Sequence, residues 1–145
     1  MKRYTAMAAT GAVALASAGA LIVPAVASGS ATTHTAKFTA VLQKQAQFSK
    51  RSFGETDKNL SHGKIVGFDV INGRVNPSTH RPHGWVAVST RGGMMFGTLR
   101  FTNGPVTRGR ITGGTGRFSG ATGTIYAKSL NSSGTRTAVV VTYRN

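Results

Sequence analysis

The chain has 145 residues, with 18 Lys and Arg against 3 Asp and Glu, no Cys, 19 Gly and one Trp. This inventory excludes a multidomain enzyme, a disulfide-stapled miniprotein, a cysteine-based zinc site and most acid/base machinery that draws on several carboxylates. The only acids are Glu55, Asp57 and Asp69, and a chain of this size can bury a core without staples.

Taken from the N-terminus, Lys2 and Arg3 precede a charge-free stretch from Ala6 to Val23 rich in Ala, Val and Leu. Ala25-Val26-Ala27 follows with the small-x-small pattern that a signal peptidase reads. Residues 1–27 are therefore expected to be a secretory signal peptide cut before Ser28, in a style that suggests a bacterium. An uncleaved anchor is the alternative, because the stretch approaches the roughly 20 residues that span a bilayer. The cleavage pattern favours release, by the general secretory route since no twin arginine is present. The expected product is secreted, with no membrane span after processing. It carries 16 basic and 3 acidic groups, a formal charge of +13, which favours nonspecific encounters with polyanions.

Residues 28–36 read as a flexible leader and 37–145 as the folded domain. Short runs rich in Val, Ile, Thr and aromatics recur between Gly, Asn and Pro clusters, the pattern of successive antiparallel strands. Strands are predicted near 37–44, 46–53, 64–72, 84–90, 94–102, 105–112, 121–130 and 135–144. Asn72-Gly73, Arg91-Gly92-Gly93, Asn103-Gly104 and Ser133-Gly134 supply turn residues, and Asn76 to Gly84, with Pro77 and Pro82, reads as a longer loop. Eight strands with short connections imply a sandwich or a closed barrel. Alternation groups Thr137, Val139, Val141 and Tyr143 on one face of the last strand. In 64–72 it sets Val66, Phe68 and Val70 opposite Ile65, Gly67, Asp69 and Ile71. Apolar residues on both faces suggest a filled interior and an outer contact between copies, a homo-oligomer.

The most distinctive stretch runs from Ile111 through Gly113-Gly114-Thr115-Gly116-Arg117-Phe118-Ser119-Gly120-Ala121 to Gly123 and Ile125. It resembles the segment between two barrel strands in allene oxide cyclase barrel-like and dirigent-like proteins, I-x-G-G-T-G-x-[FY]-x-G-A-x-G. Every motif position is matched, and Thr142-Tyr143-Arg144 resembles that family's final strand. The resemblance covers roughly residues 37–145. It implies an all-β fold, an eight-stranded antiparallel β-barrel of calycin type, often trimeric in plant relatives, with a lumen open at one end. Read physically, Gly113, Gly114 and Gly116 permit backbone angles that a Cβ forbids, Phe118 covers the corner, and Gly120 and Gly123 allow the next strand to bend away. A phosphate cradle is disfavoured because the Gly-Lys-Ser/Thr ending is missing. A G-x-x-G nucleic-acid clamp wants flanking helices.

The resemblance implies a protein that binds a small apolar molecule and promotes its cyclisation or isomerisation by holding one conformation. The family relies on acids, tyrosines or bound waters in the lumen. Asp69 is the best carboxylate candidate, because inside a strand its charge must find a partner or shift its pKa; a structural ion pair is the competing reading. Tyr126 and Tyr143 are candidates to present hydroxyls, and Arg100 to orient a carboxylate or enolate. For both tyrosines packing is the competing reading. Trp85 and Phe68 are candidate ligand contacts, Trp85 alternatively a plug for the barrel end. Glu55 and Asp57 read as solvated loop residues.

No cofactor and no metal is expected. His62, His80 and His83 lack a Cys partner, and the acid nearest the latter pair is Asp69. No G-x-S-x-G elbow is present, and the sequons at Asn59 and Asn131 mean little in a bacterial protein. Arg108 and Arg110 share a strand face that should lie outside the barrel as a positive stripe, with Arg100 and Arg117 nearby. Few aromatics interleave with it, which argues against sequence-specific nucleic-acid reading. The alternative function is accordingly a noncatalytic basic extracellular or wall-associated protein that binds polyanions.

Overall fold

A computed structural model describes residues 32–145. The expected signal peptide and the start of the leader lie outside the described residues. Eight strands follow in order: β1 (Thr33–Ser49), β2 (Ser52–Ser61), β3 (Lys64–Val75), β4 (Pro82–Thr90), β5 (Gly93–Phe101), β6 (Val106–Gly114), β7 (Thr122–Ser129) and β8 (Arg136–Arg144). Each pairs antiparallel with its neighbours in sequence, and β1 also pairs with β8, closing an all-β barrel. The only helical element described is a 3-10 turn, Gly116–Phe118, between β6 and β7. No described helix is long and apolar enough to cross a membrane.

From β3 onward the strands fall close to the predicted positions. The first quarter differs. The strands predicted at 37–44 and 46–53 are mostly one strand, β1, which begins at Thr33, so residues 33–36 are paired rather than a flexible leader. A register shift between Leu42 and Lys44 accommodates Gln43 as a bulge. β2 then occupies the segment read as a solvated loop. After Phe53 at its start, its inward positions are Glu55, Asp57 and Asn59, so its alternation is mostly polar-in and gives little apolar strand signal. Asn72-Gly73, read as a turn, runs inside β3, where the ring of Phe53 occupies the space a Cβ on Gly73 would need.

The strand directions separate two ends. The turns β2–β3, β4–β5 and β6–β7 lie at one, the turns β1–β2, β3–β4, β5–β6 and β7–β8 at the other. The first end is packed shut. Phe118 is 2% exposed, meets Tyr143 edge-on at 5.5 Å, and joins Met95, Ile111 and Ala121 in the core. The glycine-rich motif fixes this plug. Thr115 N–H donates to the Met94 carbonyl at 2.8 Å and Arg117 N–H to the Gly92 carbonyl at 2.9 Å, lashing the 3-10 turn to the β4–β5 turn. Gly116 takes φ +59°, and a Cβ there would run into the Gly92 carbonyl oxygen. By contrast Gly113 has open space around it and no positive φ.

The motif therefore divides into strict and tolerant positions. Gly116→Ala and Phe118→Ala are expected to be strongly destabilising, the latter by about 3–5 kcal/mol. Gly113→Ala should stay within about 1 kcal/mol of the parent. Urea unfolding monitored by circular dichroism checks the ranking.

Candidate functional site

Inward positions line a cavity of about 330 Å³ that opens at the end opposite Phe118. Its walls are largely apolar: Phe38, Ala40 and Leu42 of β1, Ile71 of β3, Val86 and Val88 of β4, Leu99 and Phe101 of β5, Ile125 and Ala127 of β7, Val139 and Val141 of β8. Thr102, Thr107, Ser129, Ser133, Thr135 and Thr137 line it towards the mouth. Glu55, Asp57 and Asp69, all the acids of the chain, lie on one side of it, and among the described residues no Lys, Arg or His lines it.

Cross-strand register puts the acids together. Asp57 of β2 pairs directly with Asp69 of β3, and Glu55, two residues nearer the mouth, pairs with Ile71. Directly paired antiparallel residues have Cβ atoms about 4.5–5.5 Å apart, and like charges so placed repel. Gln45 Nε2 donates to Glu55 Oε1 at 2.8 Å. Deeper along β2, the Asn59 side chain is 1% exposed. Asp57 Oδ1, Asp69 Oδ1 and both polar atoms of the Asn59 amide are buried without a hydrogen-bond partner.

This setting alters all three acidities in one direction. Burial pushes the Asp69 carboxyl up to about 7, reinforced by the negative charges of Asp57 and Glu55, while Asn59 opposes the rise. Burial also raises Asp57, which interacts with Asp69 and titrates jointly with it. Glu55 is raised by burial and by Asp57, with the Gln45 amide acting the other way. Of the two expectations for Asp69, an ion pair or a shifted acidity, the geometry gives the second.

The other sequence candidates are dispersed. Tyr143 faces inward but belongs to the closed end, stacked on His34 at 5.2 Å and against Phe118, outside the cavity lining. Arg100 and Tyr126 are exposed on the outer wall, where the Arg108 guanidinium lies 5.7 Å from the Tyr126 ring centre. Phe68 and Trp85 are also outside, 54% and 51% exposed. Trp85 borders a surface groove with Phe48, Asn72 and Arg74, and so neither plugs the barrel nor touches its lumen. Arg108 and Arg110 are exposed together as expected, with Arg100 paired to Arg108. His62 lies in the turn at the closed end, while His80 and His83 lie towards the mouth. Sequence reasoning missed Glu55, Asp57 and Asn59. Their recurrence at every second position was the available signal.

No family model matches the chain, and no curated protein does. Solved structures do share its architecture. A pyocyanin demethylase superposes with TM-score 0.64 at 18% identity, covering 76% of this chain and 99% of that one. AbnU, an exo-specific intermolecular Diels-Alderase, gives 0.66 at 9% identity, with 79% and 99% covered. A pterocarpan synthase dirigent protein gives 0.63 at 16%, with 79% and 89% covered. The likeness to dirigent-type barrels expected from residues 111–125 thus holds at the level of fold.

The acid cluster has a consequence for stability. A carboxyl whose folded acidity is weaker than its unfolded acidity binds its proton more tightly when folded, so stability falls as pH rises between the unfolded value near 3.8 and the folded value near 7. The penalty is full above about pH 7 and absent below about pH 4. Asp69→Asn is expected to raise the Tm by at least about 5 °C at pH 8. The gain should shrink steadily towards pH 4, as differential scanning calorimetry across that range would show.

Proposed function

We propose that this barrel takes a small, largely apolar molecule through its open mouth and favours one outcome of its cyclisation or isomerisation. The observation that carries this reading is the lumen itself: about 330 Å³, apolar on most sides, with Asp57 and Asp69 paired on one wall. A pocket of this size matches small-ligand sites. Rigid walls restrict the conformers of a flexible guest, which removes part of the entropic barrier to ring closure. Asp69, its pKa pushed up to about 7, exchanges its proton near neutral pH: the protonated form of the Asp57–Asp69 pair can donate to a guest atom and the ionised form can receive a proton. A fold shared with proteins named as a Diels-Alderase and as a pterocarpan synthase dirigent protein supports this choice.

The test is methyl NMR on the full chain with uncharged aromatic probes such as indole. Saturable shifts are expected at Ile125 and Val139. Ala127→Phe, which fills the lumen, should weaken binding at least tenfold, whereas Phe68→Ala on the outer wall should leave it unchanged. Shifts confined to the outer wall would overturn the reading.

A second reading coexists with the first. Arg100, Arg108 and Arg110 stand together on the outer face of β5 and β6, and a net positive charge favours polyanions. Retention on a heparin column should fall steeply with salt, and Arg108→Ala with Arg110→Ala should flatten that dependence. On the same proposal the mature protein begins at Ser28 and is secreted; N-terminal mass spectrometry of the culture medium of an expressing bacterium would find that residue first.

A further inference from the structure

We infer that the guest of this lumen carries a positive charge, an aromatic or aliphatic cation whose charged group rests between Asp57 and Asp69. The inference deepens the lumen reading and depends on it. Among the described residues there are 16 Lys and Arg, yet none lines the cavity, while all three acids of the chain do. Such segregation leaves the carboxylates without an internal counter-ion. Burial of an ionised group without a partner is costly, and a buried polar group with no hydrogen bond calls for an explanation.

Asn59 supplies a second observation beside the acids. Its amide is almost wholly buried on the same inward face, and neither its oxygen nor its nitrogen has a partner. It lies two residues deeper along β2 than Asp57 and outside the cavity lining, so an unpartnered amide sits just below the two unpartnered carboxylate oxygens, Asp57 Oδ1 and Asp69 Oδ1. A protonated amine would donate to these oxygens, and a quaternary or ring cation would neutralise the carboxylates without donating. Phe38, Ile71, Val86, Ile125 and Val139 leave apolar surface for the body of the guest. An anionic guest would meet three carboxylates and no cation.

Among the described residues only Glu55 and Asp57, both from β2, face Asp69 as titratable groups. The other strands present Gln45, Val86, Val88, Leu99, Ala127 and Thr137 there, none of which ionises. Binding of a cation favours the ionised carboxyl, so near pH 7 it must release protons from this trio.

Three probes of matched size test the inference on the full chain: N-methylquinolinium, quinoline and quinoline-4-carboxylate. Isothermal titration at pH 8 is expected to give N-methylquinolinium at least about tenfold tighter binding than quinoline, with the carboxylate weakest. The preference should shrink at pH 5 and in Asp57→Asn/Asp69→Asn. At pH 7 the heat should vary with buffer ionisation enthalpy in the sense of proton release. If quinoline binds as tightly as the cation while shifting the Ile125 and Val139 methyls, the charge preference is overturned and lumen binding stands. If no probe shifts those methyls, the lumen reading falls as well. Should the double variant fail to fold, the pH 5 arm on the parent and Asp69→Asn alone decide the question.

Discussion

A closed ladder of antiparallel strands leaves each side chain two destinations, the lumen or the outer wall, assigned by alternation along every strand. In this chain that constraint sorts charge as well as hydrophobicity. The acids Glu55, Asp57 and Asp69 fall on inward positions, while Arg100, Arg108 and Arg110 fall on outward ones. Among the described residues no basic side chain lines the lumen, so the usual answer to a buried carboxylate, a neighbouring counter-ion, is missing there. What is left is proton uptake: burial holds the pKa of all three carboxyls above the ordinary range, so each keeps its proton to a higher pH than it would in water.

The two ends of the barrel divide the work. At the closed end the glycine-rich motif brings Phe118 over the core and fixes it through backbone hydrogen bonds to the β4–β5 turn. That rigid base allows the opposite end to stay open, lined by hydroxyl-bearing residues. A barrel packed by large side chains throughout would gain apolar contacts and lose its cavity. Here Ala40 and Ala127 keep two walls low, and Asp57 and Asp69 replace residues that would pack more cheaply.

Much of the architecture was legible in the sequence, because the glycine motif and the Val/Ile/Thr runs after residue 64 have unambiguous periodicity. The count of eight strands was reached partly by compensation: splitting β1 offset the absence of β2. β2 escaped because its inward side chains are polar, which inverts the pattern by which half-buried strands are recognised. The same inversion hid Glu55, Asp57 and Asn59. Asp69 was visible because Gly67 and Ile71 flank it on one face of a strongly apolar strand. The outer-wall position of Phe68 was not legible, since both faces of β3 carry apolar residues and alternation alone does not say which one turns inward; Trp85 shares its side of β4 with Ala87, opposite Val86 and Val88, so apolar character did not separate the faces there either.

The pairing of β1 with β8 sets the order in which this chain can mature. Seven of the eight ladders join consecutive segments and can form as hairpins, but the eighth matches Thr33 with Arg144 and Val41 with Arg136. During synthesis the tube therefore stays an open sheet with two bare edges until its last strand is available, and such edges are where foreign strands add. The same pairing carries both ends of the domain to the plugged end, away from the mouth. A tether fused after Asn145 would thus leave from the base, on the far side of the barrel from the opening.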